Sequence, residues 1–99
     1  MATGIIGTGS FLPQTIIDNN ELAKMVKTND EWIREHTGIV ERHIAELETT
    51  SEMATEAALA AIDNAGIDPK DIDLIILATL SPERATPSMS CIVQDKIGA

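Results

Sequence analysis

Apolar residues recur with a helical period most clearly over residues 50–65. Ala54, Ala57, Ala58, Ala61, Ile62 and Ala65 fall on one stripe. Thr49 and Glu52 have capping-box spacing ahead of it, and Gly66 suits a left-handed stop behind it. The stripe is mostly alanine, which predicts close approach to a neighbour. A shorter helix over residues 20–26 follows the turn-and-cap cluster Asp18-Asn19-Asn20, with Leu22, Met25 and Val26 on one face. Thr28 and Glu31 repeat the capping-box spacing for a second helix, whose first turn holds Asp30 and Glu31 and whose stop is Gly38. Residues 39–45 alternate loosely and read as extended.

The continuous apolar run over residues 74–78 predicts a central parallel strand, buried on both faces. Asp68-Pro69 starts a turn before it, and residues 81–87 read as a loop. Pro87 suits the first position of a further helix, carrying Met89, Ile92, Val93 and Ile97 and ended by Gly98. Near the start, Ile5 and Ile6 read as a short strand. Gly7 and Gly9 fall short of a dinucleotide fingerprint, because Leu12 stands where the third glycine is needed and Pro13 opposes a helix. Close backbone approach in a packed sheet accounts better for these glycines. Strand, helices, strand and helix predict an α/β domain whose next element is another parallel strand. The expectation is the front end of a longer protein, with no complete domain boundary inside residues 1–99 and with self-association or a partner chain covering the exposed strand faces.

The chain has 99 residues, 43% hydrophobic and 23% charged, which is globular composition. A single cysteine excludes an internal disulfide framework and a cysteine-based zinc site. No histidine pair has helical ligand spacing with an acid partner, so no metal site is expected. One Trp, one Phe and no Tyr, with a net charge of −9, argue against nucleic acid as a partner. Residues 41–73 hold nine acids and two bases and supply −7 of that charge; a solvated helix face explains this most simply. No apolar run is long enough to span a membrane, and no signal-peptide layout opens the chain, so a soluble cytoplasmic protein is expected.

One stretch is unusual for its chemistry. In residues 28–39, TNDEWIREHTGI, helical spacing puts Thr28, Trp32 and His36 on one face. An exposed indole can stack on a base while hydroxyl and imidazole meet ribose or phosphate. By residue type alone, a lone Trp is more often a core anchor.

Four segments carry a resemblance across the whole chain: GIIGTGSFLP (4–13), NDEWIREHTGIVERHIA (29–45), DIDLIILATLSPE (71–83) and TPSMSCIVQDKIGA (86–99). Their order and spacing resemble the β-ketoacyl-acyl-carrier-protein synthase III family. The W-I-x-x-x-T-G-I core followed by E-R-H is the most specific part. The resemblance implies an α/β fold, the N-terminal part of a thiolase-like architecture layered αβαβα with mixed five-stranded sheets, incomplete in this chain. It implies a homodimer in which a cysteine at a helix N-terminus takes an acyl group from acyl-CoA and then condenses with malonyl-acyl carrier protein. Acyl-CoA is a substrate there, and no cofactor is implied. A related ketosynthase of secondary metabolism and a non-catalytic binding or assembly module are the alternatives.

No catalytic residue of the family matches a position here. Cys91 lies in PSMSCIVQ rather than in the family's Ala-Cys-x-Gly segment, and among Met89, Ile92 and Val93 it reads as a small buried hydrophobe. His36 and His43 match neither the family's histidine nor its asparagine. The isolated chain is expected to be inactive. What carries over is the nucleotide end of the acyl-CoA site: Trp32 matches the tryptophan that stacks on adenine, and Thr28 and Thr37 match nearby hydroxyl positions. The acidic middle cannot be the dock for acidic acyl carrier protein. Thr86 stands where the family often has Phe, which floors the partner subunit's acyl pocket, so a roomier pocket for longer or branched primers is implied.

His36 stands where the family usually has Arg. An arginine is always charged, whereas a histidine is mostly neutral near pH 7. Replacing His36→Arg in the intact synthase is expected to lower the acyl-CoA KM at pH 8; an unchanged KM contradicts this.

Overall fold

The computed structural model describes residues 2–80, 82 and 86–99. These form two compact units, one of residues 12–47 and the other of residues 1–11 with 48–99.

The 12–47 unit is built on a two-stranded antiparallel sheet. β1 (Thr15–Asp18) pairs with β2 (Glu41–Ile44) in the register Thr15↔Ile44 to Asp18↔Glu41. Between them lie α1 (Asn19–Ala23) and α2 (Asp30–Thr37). The extended reading of residues 39–45 holds in β2. Its partner β1 is not among the elements that the periodicity predicts, because the four residues TIID are too few to show alternation. The helix predicted over 20–26 is shorter: Asp18 caps it by accepting from the Glu21 amide at 2.8 Å, and Met25 and Val26 are exposed beyond its end. Only Pro13, Asn19 and Ile33 are buried among the described residues of this unit.

In the other unit, α3 (Thr50–Ala65) forms as its spacing predicts. Both halves of the Thr49–Glu52 capping box are made, and Gly66 closes the helix at φ 70°. A 3-10 turn (Pro69–Asp71) capped by Asp68 follows, and then α4 (Met89–Ile97). Ile62, Val93 and Ile97 form the core between α3 and α4, with Ala54, Ala58, Ile67, Ile72, Ile75 and Leu77 packed on it. The N-cap of α4 is Ser88, so Pro87 stands before the cap rather than at the first helical position. That placement still respects proline, whose missing N–H is not needed there. The loop expected over 81–87 lies largely outside the described residues.

Neither predicted parallel strand forms a ladder among the described residues. Residues 74–78 do alternate, with Ile75 and Leu77 turned to the core alongside Ile72, but Leu74 (75%) and Ile76 (85%) face outward. Burial on both faces is therefore not observed. A strand is defined by its ladder to a neighbouring strand, and among the described residues no ladder runs along 72–80. Ile5 (87%) and Ile6 (71%) are likewise unpaired and exposed.

The glycines that follow Ile6 do make a close approach, but to a helix and not within a sheet. A Cβ on Gly7 would stand 2.6 Å from the Ala61 carbonyl oxygen and 2.7 Å from the Ala65 Cβ. One on Gly9 would collide with the Ala57 carbonyl oxygen and the Ala61 amide nitrogen. Alanines on α3 and glycines on the N-terminal segment are thus two halves of one contact, and the Thr8 amide donates to Asn64 Oδ1 at 3.1 Å beside it. The obstacles are backbone atoms, which cannot swing aside. Gly9→Ala is expected to destabilise the protein by about 1–3 kcal/mol, read as a lower midpoint in denaturant; an unchanged midpoint contradicts the interlock.

Candidate functional site

Helix α2 is eight residues long, shorter than a helix that stands alone in water. Its ends are fixed by side chains. Asn29 is the N-cap, its Oδ1 accepting from the Trp32 amide at 2.8 Å. The cap is therefore one residue later than the Thr28–Glu31 spacing predicts. Asparagine and threonine both cap well, and spacing alone does not choose between them. At the other end Gly38, at φ 75°, donates to the Arg34 carbonyl at 2.9 Å, as expected of a left-handed stop.

Ile33 turns inward, so its neighbour Trp32 turns outward and is 53% exposed. The His36 ring stacks on the indole, centroids 4.2 Å apart and planes 19° from parallel. His36 Nδ1 donates to the Trp32 carbonyl oxygen at 2.8 Å. A carbonyl only accepts, so Nδ1 carries the proton and Nε2 is the nitrogen left for a ligand. The imidazole covers one indole face.

Beside the indole is a shallow cavity of about 410 Å³ lined by Lys27, Thr28, Asn29 and Trp32. Thr28 lies outside the helix yet still reaches the cavity. Its Oγ1 is buried and has no hydrogen-bond partner among the described residues. Buried hydroxyls are rarely left so, and a ligand atom or a water would satisfy this one. Thr37 is arranged differently: its hydroxyl donates to the Ile33 carbonyl at 2.7 Å and accepts from the Ile39 amide at 3.1 Å, which ties off the end of α2. Thr28 and Trp32 thus line one cavity, His36 stacks on the indole, and the Thr37 hydroxyl is spent on backbone. Thr86 belongs to the other unit and is exposed.

Lys27 is a lining residue that sequence reasoning missed. Its signal was a cation one position before Thr28. Cys91 is a correction: it is exposed, not buried. Met89, Val93 and Ile97, four apart, take the inner face of α4, and Cys91 falls to the side. There it lines a 210 Å³ cavity with residues of the 72–75 segment, and Ser88 Oγ stands 3.2 Å from its sulfur. Among the described residues no group of His, Cys, Asp and Glu could hold a metal ion, and no helix is long and apolar enough to cross a membrane.

No family model matches the chain. Individual proteins do. It is 55% identical over 95 residues to the β-ketoacyl-[acyl-carrier-protein] synthase III of Clostridium acetobutylicum, covering 96% of this chain and 29% of that protein. It is 52% identical over 100 aligned positions to the same enzyme of Oceanobacillus iheyensis, covering all of this chain and 32% of that one. The crystal structure of 3-oxoacyl-[acyl-carrier-protein] synthase III from Aquifex aeolicus superposes with a TM-score of 0.93 at 50% identity, over 99% of this chain and 32% of that one. The priming β-ketosynthase of the R1128 polyketide pathway follows with a TM-score of 0.89 at 35% identity, over 96% and 29%.

Fold and sequence therefore place this chain among the thiolase-like ketosynthases. Within that class it belongs with β-ketoacyl-[acyl-carrier-protein] synthase III, which it matches at higher identity than the polyketide enzyme. The chain spans about 30% of the length of these relatives.

The charge of Asp30, two residues before Trp32, is tied to this geometry. Its carboxyl is held below the ordinary value, first by the hydrogen bond from Asn19 and then, against the opposing effect of desolvation, by the hydrogen bond and charge of Arg34. A depressed carboxyl stabilises the fold above its unfolded pKa, and that contribution disappears as pH falls through the folded value. Asn19→Ala is accordingly expected to move the Asp30 titration upward in carboxyl-carbon NMR; an unmoved midpoint contradicts this assignment.

Proposed function

We propose that this chain is the part of a β-ketoacyl-acyl-carrier-protein synthase III that receives the nucleotide end of an acyl-CoA primer. The observation that carries the reading is the half-exposed Trp32, stacked on one face by His36, beside a cavity with an unsatisfied Thr28 hydroxyl. The open indole face stacks on the base. Thr28 Oγ1 hydrogen-bonds to it, and Lys27 brings a positive charge to the phosphates. His36 Nε2 accepts a hydrogen bond when the ring is neutral and donates one to a phosphate when it is protonated. Thr37 acts by holding the end of α2.

The whole enzyme would join the acyl group of that primer to malonyl-acyl carrier protein through a cysteine acyl-enzyme. The cysteine, histidine and asparagine of that chemistry match no position in this chain, and the chain by itself is inactive in this reading. The enzyme works as a homodimer in the cytoplasm, and acyl carrier protein docks outside the acidic stretch at residues 41–73. Thr86, small where the family often has Phe, opens the primer pocket to longer or branched acyl groups.

In the intact synthase, Trp32→Ala is expected to raise the acyl-CoA KM roughly tenfold or more, the loss of one stacked base, with kcat within about twofold. Steady-state kinetics read this directly, and an unchanged KM overturns the reading.

A further inference from the structure

The nucleotide platform stands on a helix too short to hold itself, so its position must come from elsewhere. Asn19 is only 1% exposed, and its side-chain hydrogen bonds are directed at the two ends of α2 and at β2. Its Nδ2 donates to Asp30 Oδ1 at 2.8 Å, in the first turn of α2, and to the Ile39 carbonyl at 2.8 Å, just past the Gly38 stop. Its Oδ1 accepts from Arg42 on β2. Arg42 also donates to the carbonyls of Ile17 and Asp18 at 3.3 Å each. The Asn19 amide donates to the Val40 carbonyl at 3.3 Å. Asp30 in turn is gripped by Arg34 at 3.0 Å, one turn along the same helix.

We infer that Asn19 is a positioning residue for nucleotide binding: one carboxamide clamps both ends of α2 to the β1–β2 sheet and thereby sets where Trp32 and His36 present their rings. The inference rests on the reading of Trp32 as the nucleotide platform. Asn19 touches no ligand in this account. It acts through Asp30, two residues before Trp32, and through Ile39, three residues after His36. A carboxamide satisfies this clamp. The clamp needs two donors and one acceptor on a short planar group; aspartate has the shape and lacks the donors, and leucine has neither. A displacement of the platform by a fraction of its stacking distance is enough to weaken binding, because stacking and hydrogen bonding to one ligand must be met together.

The test uses the intact synthase and three variants. Asn19→Asp removes both donors and faces Asp30 with a second carboxylate. The double variant Asn19→Asp with Asp30→Asn restores a hydrogen bond between the two positions with its direction reversed, since the carboxamide then at position 30 donates and the carboxylate at position 19 accepts. Trp32→Ala serves as the control for the platform itself. Acyl-CoA KM and kcat are measured for each, together with amide hydrogen exchange over residues 30–38. Expected is a rise in KM of roughly tenfold for Asn19→Asp, kcat within about twofold, faster exchange over 30–38, and partial recovery of the KM in the double variant, which regains a bond to position 30 but not the bond to the Ile39 carbonyl. A parental KM for Asn19→Asp, beside a raised KM for Trp32→Ala, overturns the role of Asn19 and leaves the platform standing. Equal losses in KM and kcat with no recovery in the double variant overturn it as well, because the defect is then general. If Asn19→Asp does not fold, the folded double variant, which still lacks the bond to the Ile39 carbonyl, decides: a KM raised several-fold with kcat within about twofold supports the clamp, and a parental KM opposes it. A parental KM for Trp32→Ala removes the platform reading and this inference with it.

Discussion

A single buried carboxamide joins the helices and strands of residues 12–47. Residues 12–47 bury only Pro13, Asn19 and Ile33 among the described residues, which is far too little apolar surface to order two short helices by packing. Asn19 supplies what the core does not. Its bonds to Asp30, Ile39 and Arg42, with those of Arg42 to the Ile17 and Asp18 carbonyls, convert two helix ends and two strands into one object. Hydrogen bonds to charged partners are stronger than those between neutral groups, and losing one leaves its partner unsatisfied. A polar hub of this kind also specifies geometry more sharply than an apolar contact, because direction matters as well as distance.

The other unit rests on the opposite principle. Its order comes from small residues and close approach: glycines on the N-terminal segment lie against the alanine stripe of α3, and α3 meets α4 through Ile62, Val93 and Ile97. One unit is ordered by complementarity of shape and the other by complementarity of hydrogen bonding. Trp32 sits in the second kind, where an aromatic side chain can remain exposed without being drawn into a core.

What could be read from the sequence divides along the same physical line. Local signals were legible. The Thr49–Glu52 box, the Gly38, Gly66 and Gly98 stops and the Asp68-Pro69 turn each depend on a few neighbouring residues, and each formed as expected. Trp32 and His36 were paired correctly because four-residue spacing is itself a local rule. Features that depend on distant partners were not legible. The segment at 72–80 has the composition of a strand but no ladder, β1 was too short to announce itself, and the phase of α4 turned Cys91 outward although its neighbours are apolar. Asn19 was read as one of three residues in a turn-and-cap cluster. Its role depends on Asp30, Ile39 and Arg42, which are 11, 20 and 23 positions away.

The central claim is that α2, fixed in this way, offers the open face of Trp32 to the base of a CoA nucleotide. A crystal structure of the intact synthase with bound CoA tests it most directly. The account predicts the adenine parallel to the indole on the face away from His36, with Thr28 Oγ1 hydrogen-bonded to the ligand. An adenine bound elsewhere, with the Trp32 indole left bare, would contradict it.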